Sequence, residues 1–397
     1  AVEEANAGPE GEAGYNAYYA FMLTQDPPPP LAFAAIGQRD LQPYVLRVRA
    51  LGLQSQLYDS ETYNPELALP GVFDWAFVLI YLLPLVVIAL GHDLVTAERE
   101  GGRLRLLLSL PGNGLWRRRV GLRYTAVLLA VGLPLIIGAM IMAAPAVSIA
   151  TMILIAALYS AFWFGLAMLI GGSVRASTTA AATMIGCWII LTLILPTLAH
   201  AVIARAVPVA KGVDLTLAQR EVVHHGWDVP KEETFARFFV NHPEWRGQEE
   251  FEGRFHWKWY YAMHQVGDEA VAADVSAYRD SLKTRETMTR LLGYVLPGVG
   301  TMNVLHRMAD TDIEGQLSYQ DSIADFHTKL RQFYYPYFFE EQAFDHSDFA
   351  MIPRYEPRSS GGTLATEALA ALALLSVLVL ALGSRRLLNA GREQGGR

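Results

Sequence analysis

The sequence predicts an all-α polytopic membrane protein, with five visible transmembrane helices and a mostly helical extracytoplasmic domain. Three observations predict it. Apolar runs occupy about 75–90, 124–144, 147–170, 178–203 and 364–382, each of a length that crosses a bilayer core as a helix. The 397 residues are 52% hydrophobic and 18% charged, with mean hydropathy +0.22, which is too apolar for an ordinary soluble enzyme and too charged for spans alone. Arginines gather in alternate inter-span loops, as the positive-inside rule requires of cytoplasmic ones.

The elements follow in order. Residues 1–71 form a polar segment expected on the outer side. They carry the aromatic run Tyr15-Asn-Ala-Tyr-Tyr-Ala-Phe21 and then Pro27-Pro-Pro-Pro30, a stiff extended connector rather than a helix. No basic start with an apolar middle marks a signal peptide, so a chain beginning outside predicts a further span upstream, six in all. The first visible span covers 72–91, with a Leu-Pro-Leu step at 83–85. Residues 92–123 turn charged at His92-Asp93 but keep an apolar stripe at Leu94, Ala97, Leu104, Leu107 and Leu108. That pattern predicts an amphipathic helix pair on the membrane surface. Seven arginines between Arg99 and Arg123 place it in the cytoplasm.

Residues 124–206 hold three spans: Tyr124 to Ala144 with Pro134 inside, Val147 to Ile170 after a turn at Pro145, and Thr178 to Ile203 after the loop ending at Arg175. Ala180, Ala181, Ala182 and Gly186 predict close helix packing in the last of these, and Pro196 predicts a kink. Residues 207–362 are then outside, and a stretch of roughly 155 residues is long enough for its own core. One apolar stripe there is Phe255, Trp259, Met263, Val266, Ala270 and Ala277, extended by Tyr278 and Leu282. Breaks are expected at Pro230, Pro243 and Pro297-Gly298, a helix cap at Asp310-Thr-Asp312, and an amphipathic helix from Asp321 to Tyr335 with Ile323, Phe326, Leu330 and Phe333 on one side. The last span is 363–384, and the tail 385–397 returns Arg385, Arg386 and Arg392 to the inside.

Chemistry-bearing patterns are sparse. No Gly-x-x-x-x-Gly-Lys-Ser/Thr phosphate loop is present, nor a Gly-x-Ser-x-Gly elbow, nor His-Glu-x-x-His. The lone Cys187 lies in an apolar run and reads as a packing residue. His224, His225, His242, His256, His264, His306, His327 and His346 lack metal-ligand spacing and keep aromatic company, which reads as packing. No basic surface points to nucleic acid. Two ionisable residues fall in or near spans: Glu367, one turn into the last, and His200, near the outer end of the fourth. Intramembrane charge of this kind makes them candidates for a substrate path.

The inner loop is the most specific signal. Glu98-Arg-Glu-Gly-Gly-Arg-Leu-Arg-Leu-Leu-Leu-Ser-Leu-Pro111, entered from the Leu-Pro-Leu step, resembles the permeases of the ABC-2 type exporter family. The family pattern is roughly Glu-Arg-Glu-x-Gly-Thr-Leu ending in Leu-Pro; here Gly102 and Arg103 stand where Gly and Thr are usual. Phe255-His-Trp-Lys-Trp-Tyr-Tyr261, Asp268-Glu269, Ala309-Asp-Thr-Asp312 and Phe326-His327 are similar to a subgroup with a large outer domain before the last span, linked to multicopper-enzyme maturation and to export.

The resemblance implies a permease subunit of an ATP-driven ABC exporter in a bacterial inner membrane. Glu98, Arg99, Glu100, Gly101, Arg103 and Arg105 would form its ATPase-coupling element. The chain would bind no cofactor of its own; ATP and Mg would sit in partner ABC ATPase subunits. A second permease subunit, the same or homologous, and the lipid bilayer complete the assembly, with a periplasmic partner as an option. Two other classes remain open on sequence grounds: a non-transporting membrane receptor or scaffold whose outer domain holds a maturation factor, and a metalloenzyme. A neighbouring ATPase chain in the purified complex would separate the first from transport; stoichiometric metal would mark the second.

Overall fold

The computed structural model describes residues 11–58, 73–103, 107, 114–357 and 362–392. The protein is an all-α multi-pass membrane protein: among the described residues, five helices are long and apolar enough to cross a membrane. The second, third and fifth spans are Gly114–Ile141, Ala146–Ser173 and Thr366–Arg392. The first and fourth are each interrupted by a π-helical turn. The first runs Trp75–Phe77, Val78–Leu82 (π) and Leu83–Gly91; the fourth runs Ser177–Trp188, Ile189–Ile194 (π) and Leu195–Ala206.

Both π turns lie just before a proline, Pro84 and Pro196, so the kink expected at Pro196 takes this form. A proline has no amide to close on the carbonyl four residues back, and the widened turn absorbs the mismatch. At Pro84 that carbonyl belongs to Ile80, and the buried Tyr159 hydroxyl of the third span donates to it at 3.0 Å. A hydrogen bond to a carbonyl that hydrocarbon cannot solvate thereby joins the first span to the third.

The third span is the hub. Two thirds of its apolar window is buried (67%), against 11% for the fourth span. Its tightest partner is the fifth span: a Cβ on Gly165 would come 2.6 Å from the Leu380 amide, and one on Gly383 would come 2.2 Å from the Gly165 carbonyl. Small residues allow this backbone approach. The sequence placed close packing in the fourth span instead. There Ala180 is buried, but a Cβ on Gly186 would meet nothing within 4 Å, and Ala182 is exposed. The fourth span mostly faces outward, so its small residues pack little.

The aqueous domain is composite. Helices Gly212–His225, Lys231–Asn241, Trp257–Ala270, Ala272–Gly293, Pro297–Ala309 and Ile313–Phe339 form its body. Residues 11–58 are not a separate unit; they pack into it. Among the described residues the only sheet is an antiparallel pair, β1 (Met22–Gln25) and β2 (Val45–Val48), with Met22 opposite Val48. Helix Gly11–Tyr19 sets Ala13 and Ala17 against Trp257, Tyr261 and Phe338, and Gly14 leaves room for the Trp257 ring. Leu46, Val48, Leu53 and Leu57 join Leu215, Tyr278, Tyr319 and Ile323 in a second cluster.

Several local expectations hold. Pro230 precedes the Lys231–Asn241 helix, Pro243 opens a short 3-10 turn and Pro297 begins its helix. Asp312 caps Ile313–Phe339, accepting from the Gly315 amide at 3.0 Å, while Asp310 adopts the left-handed conformation that ends the preceding helix. One expectation fails. The stripe from Phe255 to Leu282 is not continuous, because the helix breaks at Val271 and restarts at Ala272. Trp259, Met263 and Val266 are buried, whereas Ala270 and Ala277 are exposed. The helix from Asp321 is longer than expected, starting at Ile313 and running through Pro336 to Phe339.

Two contacts seat this domain on the bundle. Asp74 caps the first span by accepting from the Phe77 amide at 2.7 Å, and its other oxygen accepts from the Ile36 amide at 2.9 Å. Helix Pro297–Ala309 buries Val304, Leu305 and Ala309 among the spans. The segment 11–58 and the body at 212–357 therefore share one end of the bundle, which the span count requires.

Candidate functional site

The opposite end carries the arginine-rich loops. Past Gly91 the chain turns, and Leu94 and Val95 bury against Met168 of the third span and Leu387 of the fifth. A helix then covers only Thr96–Glu100. It ends at Gly101, and Gly102 takes φ +68°, a left-handed backbone that glycine adopts without strain. Of the amphipathic helix pair expected over 92–123, the first helix therefore stops at Gly101-Gly102. Leu104, Arg105 and Leu108 lie outside the described residues.

The charges of this short helix are tied to neighbouring elements, with Glu98 and Arg99 half-buried and Glu100 exposed. Glu98 bridges Arg119 of the second span at 2.8 Å and Arg103 at 2.9 Å. Arg99 donates to the Val174 carbonyl, at the end of the third span. Glu100 accepts from both the amide and the hydroxyl of Ser177, each at 2.8 Å, and so places a carboxylate on the open N-terminus of the fourth span. The Ser177 hydroxyl also lies 3.0 Å from the Thr96 hydroxyl. Arg123 reaches back to the Leu90 carbonyl and to Asp93. Arg386 of the fifth span donates to Ser173 at 3.2 Å. Glu98, Arg99 and Glu100 thus tie the segment to the second, third and fourth spans. Among the described residues, exposed charge at this end includes Arg103, Arg118 and Arg175 and one carboxylate, Glu100.

The two candidates for a substrate path are not brought together. Glu367 accepts from the Tyr294 hydroxyl at 2.8 Å, which fastens the start of the fifth span to the end of the Ala272–Gly293 helix. His200 is exposed on the Leu195–Ala206 helix.

A polar network in the aqueous domain escaped sequence reasoning. Asp268 and Arg331, with side chains 11% and 7% exposed, pair at 2.8 Å. Asp268 also accepts from the Leu53 and Gln54 amides at 2.8 and 3.1 Å. Arg331 donates to the Ala50 and Leu51 carbonyls and to Gln265. His327 Nε2 lies 2.7 Å from the Leu51 carbonyl, and His264 Nδ1 accepts from the Gly52 amide at 3.2 Å. The whole set clamps the turn at 50–54 onto two helices of the body. Asp268 and His327 stood within residues singled out for family likeness, but their backbone partners at 51–54 are more than 200 positions away in the chain, so no local spacing announces them.

Burial and the neighbouring Arg331 charge push His264 down to about 3 and hold His327 well below the usual histidine range. Burial pushes the Asp268 carboxyl up, against the pull of Arg331 and the two amides. The folded domain therefore keeps both imidazoles neutral, and the unfolded chain takes up their protons as pH falls through about 6.5. Stability is expected to fall with pH below that point, by up to about 1.4 kcal/mol per pH unit for each histidine. Asp268 has the opposite sign, because the folded state holds its proton more tightly than the unfolded chain, and it offsets part of the loss toward the carboxylate range. Thermal unfolding at pH 7 and pH 5 checks this: the domain should melt earlier at pH 5, and His264→Gln should flatten the trend. Equal melting at both values would contradict it.

Among the described residues no three His, Cys, Asp or Glu side chains converge as a metal site. In comparisons with known proteins, residues 213–358 match the family described as "Domain of unknown function (DUF3526)", a stretch that covers most of the outer domain and none of the spans. No curated protein and no solved structure matches the chain.

Proposed function

We propose that the chain is the membrane permease subunit of an ATP-driven exporter, with the arginine-rich end in the bacterial cytosol and the outer domain on the far side of the inner membrane. The observation that carries this reading is the anchorage of helix Thr96–Glu100. It follows the first span after a turn at 92–95 and is bonded to the second, third and fourth through Glu98, Arg99 and Glu100. A push on so short an element moves several spans together, which is what coupling to a separate motor requires. The exposed Arg103, Arg118 and Arg175 supply a basic face for the acidic surface of an ATPase partner. The internal ties change the role first read for Glu98, Arg99 and Glu100: they transmit the motion, and the outward arginines receive it. ATP and Mg belong to the partner, and two conformations biased differently by ATP complete the cycle. The likeness of Glu98–Pro111 to ABC-2 type permeases supports the same reading.

Replacing Glu98 and Arg99 together by alanine tests it. Transport-stimulated ATP hydrolysis by the assembled complex should fall about tenfold, since the variant loses two charge-assisted ties of the lever. Co-purification with the ATPase should survive, because the outward arginines remain. Unchanged stimulation would refute transmission through this helix.

A further inference from the structure

The outer domain holds a cleft that coupling does not use. Its chemistry begins in β2. A strand sends alternate side chains to opposite faces, so Leu46 and Val48 enter the core while Arg47 and Arg49 face the other way. The Arg47 guanidinium sits over the Phe21 ring, 4.9 Å from its centroid, and Arg49 is steadied by the Tyr18 carbonyl at 3.1 Å. Helix Gly212–His225 contributes Arg220. The three arginines line one cleft of about 730 Å³, inside the range of roughly 300–1,000 Å³ typical of small-molecule sites. Among the described residues no carboxylate lines it, although the chain as a whole has a formal charge of -7.

A second, independent observation points the same way. His264 Nδ1 accepts from the Gly52 amide, which leaves the ring proton on Nε2. That Nε2 and the Gln219 Nε2 are buried without a hydrogen-bond partner, and both residues form part of the cleft wall. Gln219 is 1% exposed. Both orphaned groups are donors, and buried donors without acceptors are costly. At the mouth the half-exposed Trp227 stands edge-on to Trp259 with its ring centroid 5.0 Å away.

We propose that this cleft binds a small amphiphilic molecule with an anionic, oxygen-rich head and an apolar body. The arginines hold the head, its oxygens accept from His264 and Gln219, and the body lies against Trp227 and Phe21. The site stands whether or not the chain couples to an ATPase.

Isothermal titration tests it on the full chain in phosphatidylcholine nanodiscs, with naphthalenesulfonate as the anionic probe and naphthalenemethanol as its uncharged counterpart. The sulfonate should bind saturably at one site per chain, and the alcohol should not. The exposed pair Arg47→Gln/Arg220→Gln should weaken sulfonate binding about tenfold or more, with the melting temperature unchanged. Competition by phosphatidylglycerol added to the nanodisc would assign the head to a lipid; its absence would assign it to a soluble molecule, and either result upholds the site. Absence of saturable sulfonate binding, equal binding of the alcohol, or undiminished affinity in the double variant would overturn it.

Discussion

Arg331→Met is expected to destabilise the outer domain by about 3–5 kcal/mol, the usual cost of breaking a buried pair from one side. Methionine keeps the apolar stem but removes every donor that holds Asp268, the Ala50 and Leu51 carbonyls and Gln265. Asp268 is left as a buried carboxylate with only the Leu53 and Gln54 amides, the Ala50 carbonyl loses its Arg331 donor, and the Leu51 carbonyl keeps only His327. The damage should be local in a telling way. Residues 50–54 should come away from the body, so limited proteolysis should cut near 50–58 in the variant and not in the parent. Arg331→Lys should recover little, because one ammonium cannot span the positions of a planar guanidinium. Pairing Arg331→Met with Asp268→Leu should recover part of the loss, since the stranded charge is removed. Equal stability of Arg331→Met and the parent would show that the network does not fasten the segment.

Gly383→Val is expected to cost more than about 3 kcal/mol, beyond the usual range for overpacking. The new Cβ would lie 2.2 Å from the Gly165 carbonyl, and backbone cannot swing aside as a side-chain tip can. The third and fifth spans would have to separate, and the third span is the hub on which Tyr159, Trp163 and Phe164 are buried. Unfolding in detergent should therefore shift strongly, and Leu387 should lose its contact with Leu94 and Val95 beneath the short helix. Gly186→Ala is the matched control: its Cβ meets nothing within 4 Å, and it should behave as the parent does. Similar shifts for both variants would mean that the glycine contact does not hold the pair.

The spans were legible because each is one long apolar run, and bilayer thickness makes length alone informative. The caps at Asp312 and the breaks at Pro230, Pro243 and Pro297 were legible because their chemistry is local. The end of the short helix at Gly101-Gly102 had a visible signal, a glycine pair. The break at Val271 had none: Ala270 and Ala277 continue the helical period in sequence, and alanine is indifferent to which side it faces. Docking of residues 11–58 was hidden for another reason. Its ties, Asp268 to Leu53 and Gln54 and Arg331 to Ala50 and Leu51, join distant positions through backbone groups that every residue possesses, and Tyr334 reaches the Asn16 side chain across a similar distance. The ties of Glu98, Arg99 and Glu100 to neighbouring spans were likewise invisible, since a solvated charged helix and a bonded one have the same composition.

Coupling to a separate ATPase is tested most directly by placing a photo-crosslinking residue at position 103, which is exposed beside the short helix. Irradiation of native membranes should join this position to an ATP-binding chain, and adding nucleotide should change the yield. Cross-links that form only to reagents or proteins on the outer face would put the arginine-rich end on the wrong side of the membrane and contradict the coupling role.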